Sequence, residues 1–124
     1  MAALVRQPDS SQTSTPERYL RRLLKGRPGR AALSAEYLNQ LFQRQSGCCA
    51  ISGIKMTWGH GNGRQNTHVS IDRIDSARGY EVGNIQLVCL VVNLMKRELP
   101  MGEFLRWCRT IIRCADANEQ RTAA

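Results

Sequence analysis

One stretch, residues 68–97, constrains the fold more than any other part of the chain. It begins with apolar and polar residues that alternate over positions 69–75, a pattern typical of a strand with one buried face. Small and polar residues then predict a turn. The apolar run that starts at Ile85 is too long for one strand, so we divide it into a strand over 85–88 and a helix over 89–97. The pattern predicts the order strand, loop, strand, helix.

Two oxygen-bearing side chains stand at informative places in this unit. Asp72 falls in the first predicted strand and Asn93 in the predicted helix, so the fold can bring them together. Carboxylate and amide oxygens are hard donors that suit magnesium or manganese rather than zinc. We therefore expect one divalent ion, Mg²⁺ or Mn²⁺, to be held by Asp72 and Asn93.

The same residues resemble the HNH motif of the ββα-metal (His-Me finger) nucleases. Asp72 and Arg73 in SIDRID, Asn84 in GNIQLV and Asn93 in VNLMK carry the resemblance. The matching part covers residues 45–112. More narrowly, it resembles the HNH proteins that are common in phages and prophages. Several spaced elements in one order are far more specific than any one of them.

The resemblance implies an α+β fold with a ββα-metal (HNH) core, and we expect two N-terminal helices and one C-terminal helix to pack around that core. It implies a divalent-metal-dependent DNA endonuclease that nicks or cleaves duplex DNA. In the family, the residue at the place of Asn84 ties down the loop that bears the general base, which gives Asn84 an orienting role. A phage or mobile-element role rests on the resemblance alone.

The chain departs from the HNH pattern at Arg73, where most members carry a histidine that serves as the general base. A guanidinium stays protonated and cannot accept a proton, so we expect Arg73 to grip a phosphate oxygen. Four substitutes for the base stay open. They are His68, which a regular strand places about 13 Å from Asp72, His60 on a glycine-rich loop, Asp75, and a metal-bound hydroxide with no protein base.

The arginine at position 73 also motivates an alternative function. A chain that keeps the nuclease fold but lacks the base is expected to act as a non-catalytic DNA-binding or partner-binding module. Such a module binds DNA in a salt-sensitive way without turnover. The sequence leaves open whether the chain has a protein partner or forms a homodimer.

The charge of the chain indicates a polyanionic partner. Eighteen Lys and Arg residues against ten Asp and Glu give a net charge of +8, which favours DNA. The alternative is a basic face that only contacts solvent. RNA is less favoured, because only 6% of the residues are aromatic and most fit core positions rather than a stacking surface. The candidate DNA contacts are Arg27, Arg30, Arg64, Arg73, Arg78, Lys96 and Arg97.

A chain of 124 residues is expected to form one domain. We divide it into a disordered tail over 1–14, a helical extension over 15–47, the HNH core with its C-terminal helix over 48–115, and a flexible tail over 116–124. The extension holds helices over 15–25 and 35–45, the second capped by Ser34. The last helix is predicted over 101–114, packed against the second helix by an apolar stripe of Phe104, Leu105, Cys108, Ile111 and Ile112.

The five cysteines fit a cytoplasmic protein with reduced thiols, since the sequence shows neither a signal peptide nor a membrane span. HNH proteins with zinc carry paired C-x-x-C elements. Here Cys49 is followed by Ser52, and Cys89 by Val92, at the positions of the second thiols. We therefore expect no structural zinc, and expect Cys49 and Cys89 to be small buried residues in contact.

Overall fold

The computed structural model describes residues 16–59 and 63–123. Within them lie four α-helices, a short 3-10 helix and one two-stranded antiparallel sheet. The elements are α1 (Pro16–Leu24), the 3-10 helix (Pro28–Arg30), α2 (Ala35–Arg44), β1 (Val69–Arg73), β2 (Ile85–Cys89), α3 (Leu90–Lys96) and α4 (Met101–Ala123). The α+β class and the order strand, loop, strand, helix are confirmed. The predicted tail over 1–14 and the base candidate His60 lie outside the described residues.

The two strands pair with Val69 opposite Cys89 and Arg73 opposite Ile85. Val69 and Ile71 belong to the apolar core together with Leu87 of β2. Side chains alternate between the faces of a strand, so Ser70 and Asp72 point to the other face, where they meet α3. Helices α1 and α2 pack against each other and against the sheet.

Helix α2 begins where the sequence predicts. Ser34 is extended, and its side chain accepts a hydrogen bond from the Tyr37 amide at 3.0 Å, which satisfies one of the unpaired N–H groups of the first turn. Leu38 and Phe42, one turn apart, are buried in the core. The helix ends before Gly47, which has a φ of +71°, a conformation that glycine adopts without strain.

Helix α4 differs from the prediction in length and packing. It continues to Ala123 instead of ending near Cys114, and its last turns are rich in good helix formers. Within the described ranges it packs extensively against no other helix or strand. Phe104 is buried, but Ile111 and Ile112 are 62% and 60% exposed. The predicted packing against α2 is therefore wrong, because an amphipathic pattern shows that a face is apolar but not what covers it.

None of the helices in the described parts of the chain combines the length and the apolar character that crossing a membrane requires.

Candidate functional site at β1 and α3

Two side chains of α3, one turn apart, reach the polar face of β1. Asn93 donates to Ser70 Oγ at 2.6 Å, and Lys96 donates to Asp72 Oδ1 at 3.1 Å. Residues three apart on a helix advance about 4.5 Å, and residues two apart on a strand about 6.6 Å, so the two pairs lie side by side. With Gln86, these four residues form what we call the α3–β1 cluster.

The outer edge of β1 is closed by side chains. At the two ends of the ladder, Ile74 N donates to Asn84 O and Leu90 N to His68 O, so the even-numbered residues of β1 pair with β2 and the odd carbonyls point outward. Each of the three outward carbonyls accepts a hydrogen bond from a side chain of α1 or α3. The donors are Tyr19 Oη to Val69 O at 3.2 Å, Asn93 Nδ2 to Ile71 O at 3.1 Å and Lys96 Nζ to Arg73 O at 3.2 Å.

Asp72 lies in a buried ion pair. Its side chain is 3% exposed and that of Lys96 is 0% exposed. One carboxylate oxygen accepts from Lys96, and the other accepts from Gln86 Nε2 at 2.9 Å. A buried charge is tolerated when it is paired and hydrogen-bonded in this way. Lys96 is thus the counter-ion of Asp72, a position that does not agree with its predicted contact with DNA phosphate.

The predicted metal ligands fit a divalent ion unequally. The amide nitrogen of Asn93 faces the Ile71 carbonyl, which can only accept a hydrogen bond. Asn93 Oδ1 therefore points away from that carbonyl, and it accepts no hydrogen bond from the described residues. This oxygen suits a hard cation. Asp72, by contrast, already has an ammonium group 3.1 Å from Oδ1.

A divalent ion and Lys96 compete for the same carboxylate. At 4 Å and an effective dielectric constant of 20, a dication and an ammonium group repel by about 8 kcal/mol. Asp72 and Asn93 therefore lie on the same side of the sheet, as predicted, but together they fit a divalent ion only when Lys96 has moved away from Asp72.

Asn84 holds the loop between the strands. It is buried, and its Oδ1 accepts from the Asp75 amide at 3.0 Å. Its Nδ2 donates to the carbonyls of Asp75 and Gly79 at 3.0 and 2.8 Å. All three bonds go to backbone groups of residues 75–79, which is the loop-tying placement predicted for Asn84.

Asp75 is an exposed turn residue. Its Oδ1 accepts from the Ala77 amide at 2.9 Å, the local turn that aspartate commonly makes. Among the described residues, no hydrogen bond links its side chain to the α3–β1 cluster. Its proposed role as the base is therefore not supported by a contact with the α3–β1 cluster.

Arg73 points to the opposite face of β1 from Asp72. Its guanidinium lies 5.2 Å from the centroid of the Tyr80 ring and donates to the Arg78 carbonyl at 3.3 Å. The guanidinium of Arg30 lies 4.7 Å from the same centroid and donates to the Leu23 carbonyl at 2.7 Å. Cation–π contact holds both side chains in place. The fold thus brings together two predicted DNA contacts that are distant in sequence.

The other predicted DNA contacts are scattered over the surface. Arg27, Arg64 and Arg97 are exposed. Arg78 is exposed as well and forms a surface ion pair with Glu81, with Nε 2.7 Å from the carboxylate. Exposed pairs of this kind are weak and salt-sensitive, so Arg78 remains accessible to a phosphate group.

His68 is buried and lies apart from Asp72. Its Nδ1 accepts from the Gln65 amide at 3.3 Å, and its ring meets Tyr19 edge-on at 5.8 Å. Burial lowers the pKa of His68 below its usual value. The ladder from Val69 to Arg73 is regular, with no bulge, so His68 stays about 13 Å from Asp72 and is not brought to it as a base.

Cys49 and Cys89 are both buried and in contact, as predicted. Burial and the neighbouring Cys49 thiol raise the pKa of Cys89 to about 11. Burial tends to raise the pKa of Cys49 too, but hydrogen bonds from Ser52 and from the backbone of Cys89 and Ile51 together outweigh it, so the pKa of Cys49 is lowered. These hydrogen bonds favour the thiolate form of Cys49, while the expected absence of zinc stays a prediction.

Sequence reasoning missed several polar residues that shape this region. Gln45 binds both backbone groups of Leu87, with Oε1 accepting at 3.1 Å and Nε2 donating at 2.8 Å, so it occupies the outer edge of β2. Gln86 and Tyr80 were also overlooked. Two features of the sequence do indicate other members of the α3–β1 cluster. Alternation places Ser70 on the same strand face as Asp72, and the i, i+3 spacing places Lys96 beside Asn93 on the helix.

Comparison with known proteins finds no match for this chain among protein-family models, curated proteins or solved structures. The resemblance to HNH nucleases therefore rests on the residues of the motif alone.

Proposed function

We propose that this protein is an HNH-type endonuclease that hydrolyses phosphodiester bonds in DNA, and that β1, β2 and α3 form its ββα-metal core. The observation that carries the proposal is the docking of α3 on β1. It sets Asn93 against Ser70 and Lys96 against Asp72, so the two residues expected as metal ligands lie on the same side of the sheet. The three bonds by which Asn84 holds the loop over residues 75–79 also support the proposal.

The residues of this chain have separable roles in the proposal. Asn93 Oδ1 and, after release of Lys96, the Asp72 carboxylate would hold Mg²⁺ or Mn²⁺, which supplies charge neutralisation at the phosphate. Arg73 and Arg30, fixed against Tyr80, would bind backbone phosphates as guanidinium forks.

Supercoiled plasmid incubated with Mg²⁺ or Mn²⁺ tests the proposal. The wild-type protein is expected to nick or linearise the plasmid, and Asn93→Ala is expected to abolish this. Asn118→Ala is the matched control, because it removes an exposed amide from α4. Circular dichroism confirms that each variant is folded. Plasmid that stays intact with wild-type protein and either metal rejects the nuclease function.

A second candidate is a DNA-binding module without hydrolysis. The buried Asp72–Lys96 ion pair favours it, because the carboxylate already has its cation, and so does the arginine at position 73. This candidate predicts DNA binding whose affinity falls steeply with salt, with no nicking. Arg73→Ala should reduce that affinity, whereas Arg73→His with gain of nicking would show that only the base was missing.

A further inference from the structure

Helix α1 presents a strongly basic face to solvent. Four cations, the last of them directly after the helix end, fall within an arc of about 100° on the side opposite the apolar residues of the helix. All four are exposed, whereas Leu20 is buried in the core. The acidic residue of α1, Glu17, lies at the flank of this arc. We call the four cations the α1 basic face, and they are Arg18, Arg21, Arg22 and Lys25.

The spacing of these cations does not stabilise the helix by itself. Arg18 and Arg22 are four residues apart, as are Arg21 and Lys25, and like charges at this spacing destabilise a helix. In the described part of the chain, no acidic side chain forms an ion pair with Arg18, Arg21 or Lys25. Clustered cations of this kind create a positive potential that attracts polyanions, and a bound polyanion would relieve their repulsion.

The α1 basic face adjoins the two arginines that are held against Tyr80. At the C-terminal end of α1, Arg30 Nη1 donates to the Leu23 carbonyl at 2.7 Å. The same guanidinium lies over the Tyr80 ring together with that of Arg73. Both arginines have a phosphate-binding role in the proposed function. The α1 basic face therefore extends an already proposed phosphate-binding surface along a helix outside the motif.

Helix α1 also lies next to the α3–β1 cluster. The carbonyls that accept from Tyr19 and from Asn93 are two residues apart on β1, a separation of about 6.6 Å. Burial raises the pKa of Tyr19, while the nearby guanidinium groups of Arg64 and Arg22 oppose that rise. Cations from α1 and from the segment before β1 thus approach the strand edge that carries the candidate site.

We propose that the α1 basic face binds the phosphate backbone of duplex DNA beside the α3–β1 cluster. The inference rests on the proposed function for its partner, and it adds a DNA-binding helix outside the HNH motif. Phosphate contacts position a protein on the duplex without reading its sequence, so α1 holds DNA of any sequence. An anionic membrane fits this face less well, because the apolar side of α1 packs in the core and cannot enter a bilayer.

Fluorescence anisotropy of a short labelled DNA duplex tests the inference, with EDTA present to prevent metal-dependent hydrolysis. The variant Arg18→Gln/Arg21→Gln/Lys25→Gln removes three exposed charges and introduces good helix formers. Each phosphate contact contributes about 0.9 to the slope of log affinity against log salt, so the variant should lower that slope by about 2.7. The loss should be the same for duplexes of different sequence.

The matched control removes the same charge from another helix. Arg106→Gln/Arg109→Gln/Arg113→Gln replaces three exposed arginines of α4 and should leave the slope near its wild-type value. Circular dichroism confirms that both variants are folded. An equal fall in slope for the two variants would show that net charge alone acts, and an unchanged slope for the α1 variant would show that its cations face only solvent. Either result overturns the inference.

The outcomes separate this inference from the nuclease function. Binding with the expected slopes, together with plasmid that stays intact in Mg²⁺ and Mn²⁺, supports the role of α1 and rejects hydrolysis. Nicking that is equally sensitive to salt in the wild-type protein and the α1 variant supports hydrolysis and overturns the role of α1. A wild-type protein that binds phosphatidylserine vesicles but not the duplex overturns the inference in favour of a membrane surface.

Discussion

Replacing Lys96 with methionine isolates the contribution of the buried ion pair. Methionine keeps much of the apolar length of lysine but removes the ammonium that bonds Asp72 Oδ1 and the Arg73 carbonyl. The Asp72 carboxylate, 3% exposed, is then left with Gln86 as its remaining hydrogen-bond donor. Removing one partner of a buried pair typically costs about 3–5 kcal/mol. Because whole domains are stable by about 5–15 kcal/mol, Lys96→Met should lower the free energy of unfolding by a large fraction.

Urea unfolding followed by circular dichroism measures this loss. The double variant Asp72→Asn/Lys96→Met removes both charges and should recover most of the stability, since the cost comes from the unpaired charge and not from the loss of the pair itself. Lys25→Met, at an exposed position after α1, is the matched control and should change stability by less than about 0.5 kcal/mol. A loss below about 1 kcal/mol for Lys96→Met, or a double variant no more stable than the single one, would refute the reasoning.

The same variant tests the competition between Lys96 and a divalent ion. With the ammonium absent, Asp72 and Asn93 are free to bind Mn²⁺, and a ligand that binds only the folded state raises stability in proportion to ln(1 + [L]/Kd). Mn²⁺ should therefore raise the thermal midpoint of Lys96→Met more than that of the wild-type protein. The added variant Asn93→Ala should abolish the difference. Equal midpoints with and without Mn²⁺ would argue against a metal site at these residues.

Two further predictions concern the loop and the buried histidine. Asn84→Ala removes three hydrogen bonds to residues 75–79 and should lower the free energy of unfolding by about 3 kcal/mol, with faster proteolysis in the loop; an unchanged urea midpoint would contradict the loop-tying role. Burial lowers the pKa of His68 below its usual value of 6.5, so the folded state favours the neutral imidazole. The stability that depends on the neutral ring is therefore fully present above pH 6.5, and it is lost as the pH falls through the lower pKa of the folded state. The thermal midpoint of His68→Gln should depend less on pH between 5 and 7 than that of His60→Gln, and identical profiles would show that His68 does not titrate as described.

Local patterns were sufficient for most of the fold. Alternation over residues 69–75 and the apolar run after Ile85 predict β1, β2 and α3, because the spacing of apolar residues along the sequence shows which face of an element is buried. The hydroxyl of Ser34 predicts the start of α2 for the same local reason. The packing of α4 was not predictable in this way, since the apolar pattern of a helix is the same whichever segment packs against it.

The sequence predicted on which strand and helix faces the site residues lie, but not which side chains they contact. Alternation and helical spacing place Asp72 and Asn93 on facing surfaces. The assignment of Lys96 to DNA rather than to Asp72 followed from its position near a helix end, where an exposed cation is expected. Only the docking of α3 on the sheet decides that its ammonium is enclosed. The joint contact of Arg30 and Arg73 with Tyr80 likewise depends on segments that are distant in sequence.

The side-chain bonds along the outer edge of β1 also bear on how this protein behaves at high concentration. An exposed strand edge invites a strand from another molecule to add to it. Here the hydroxyl of Tyr19, the amide of Asn93 and the ammonium of Lys96 already donate to the carbonyls with which an added strand would pair. An incoming strand must first displace these donors, and this requirement opposes the addition of further strands to the β1–β2 sheet.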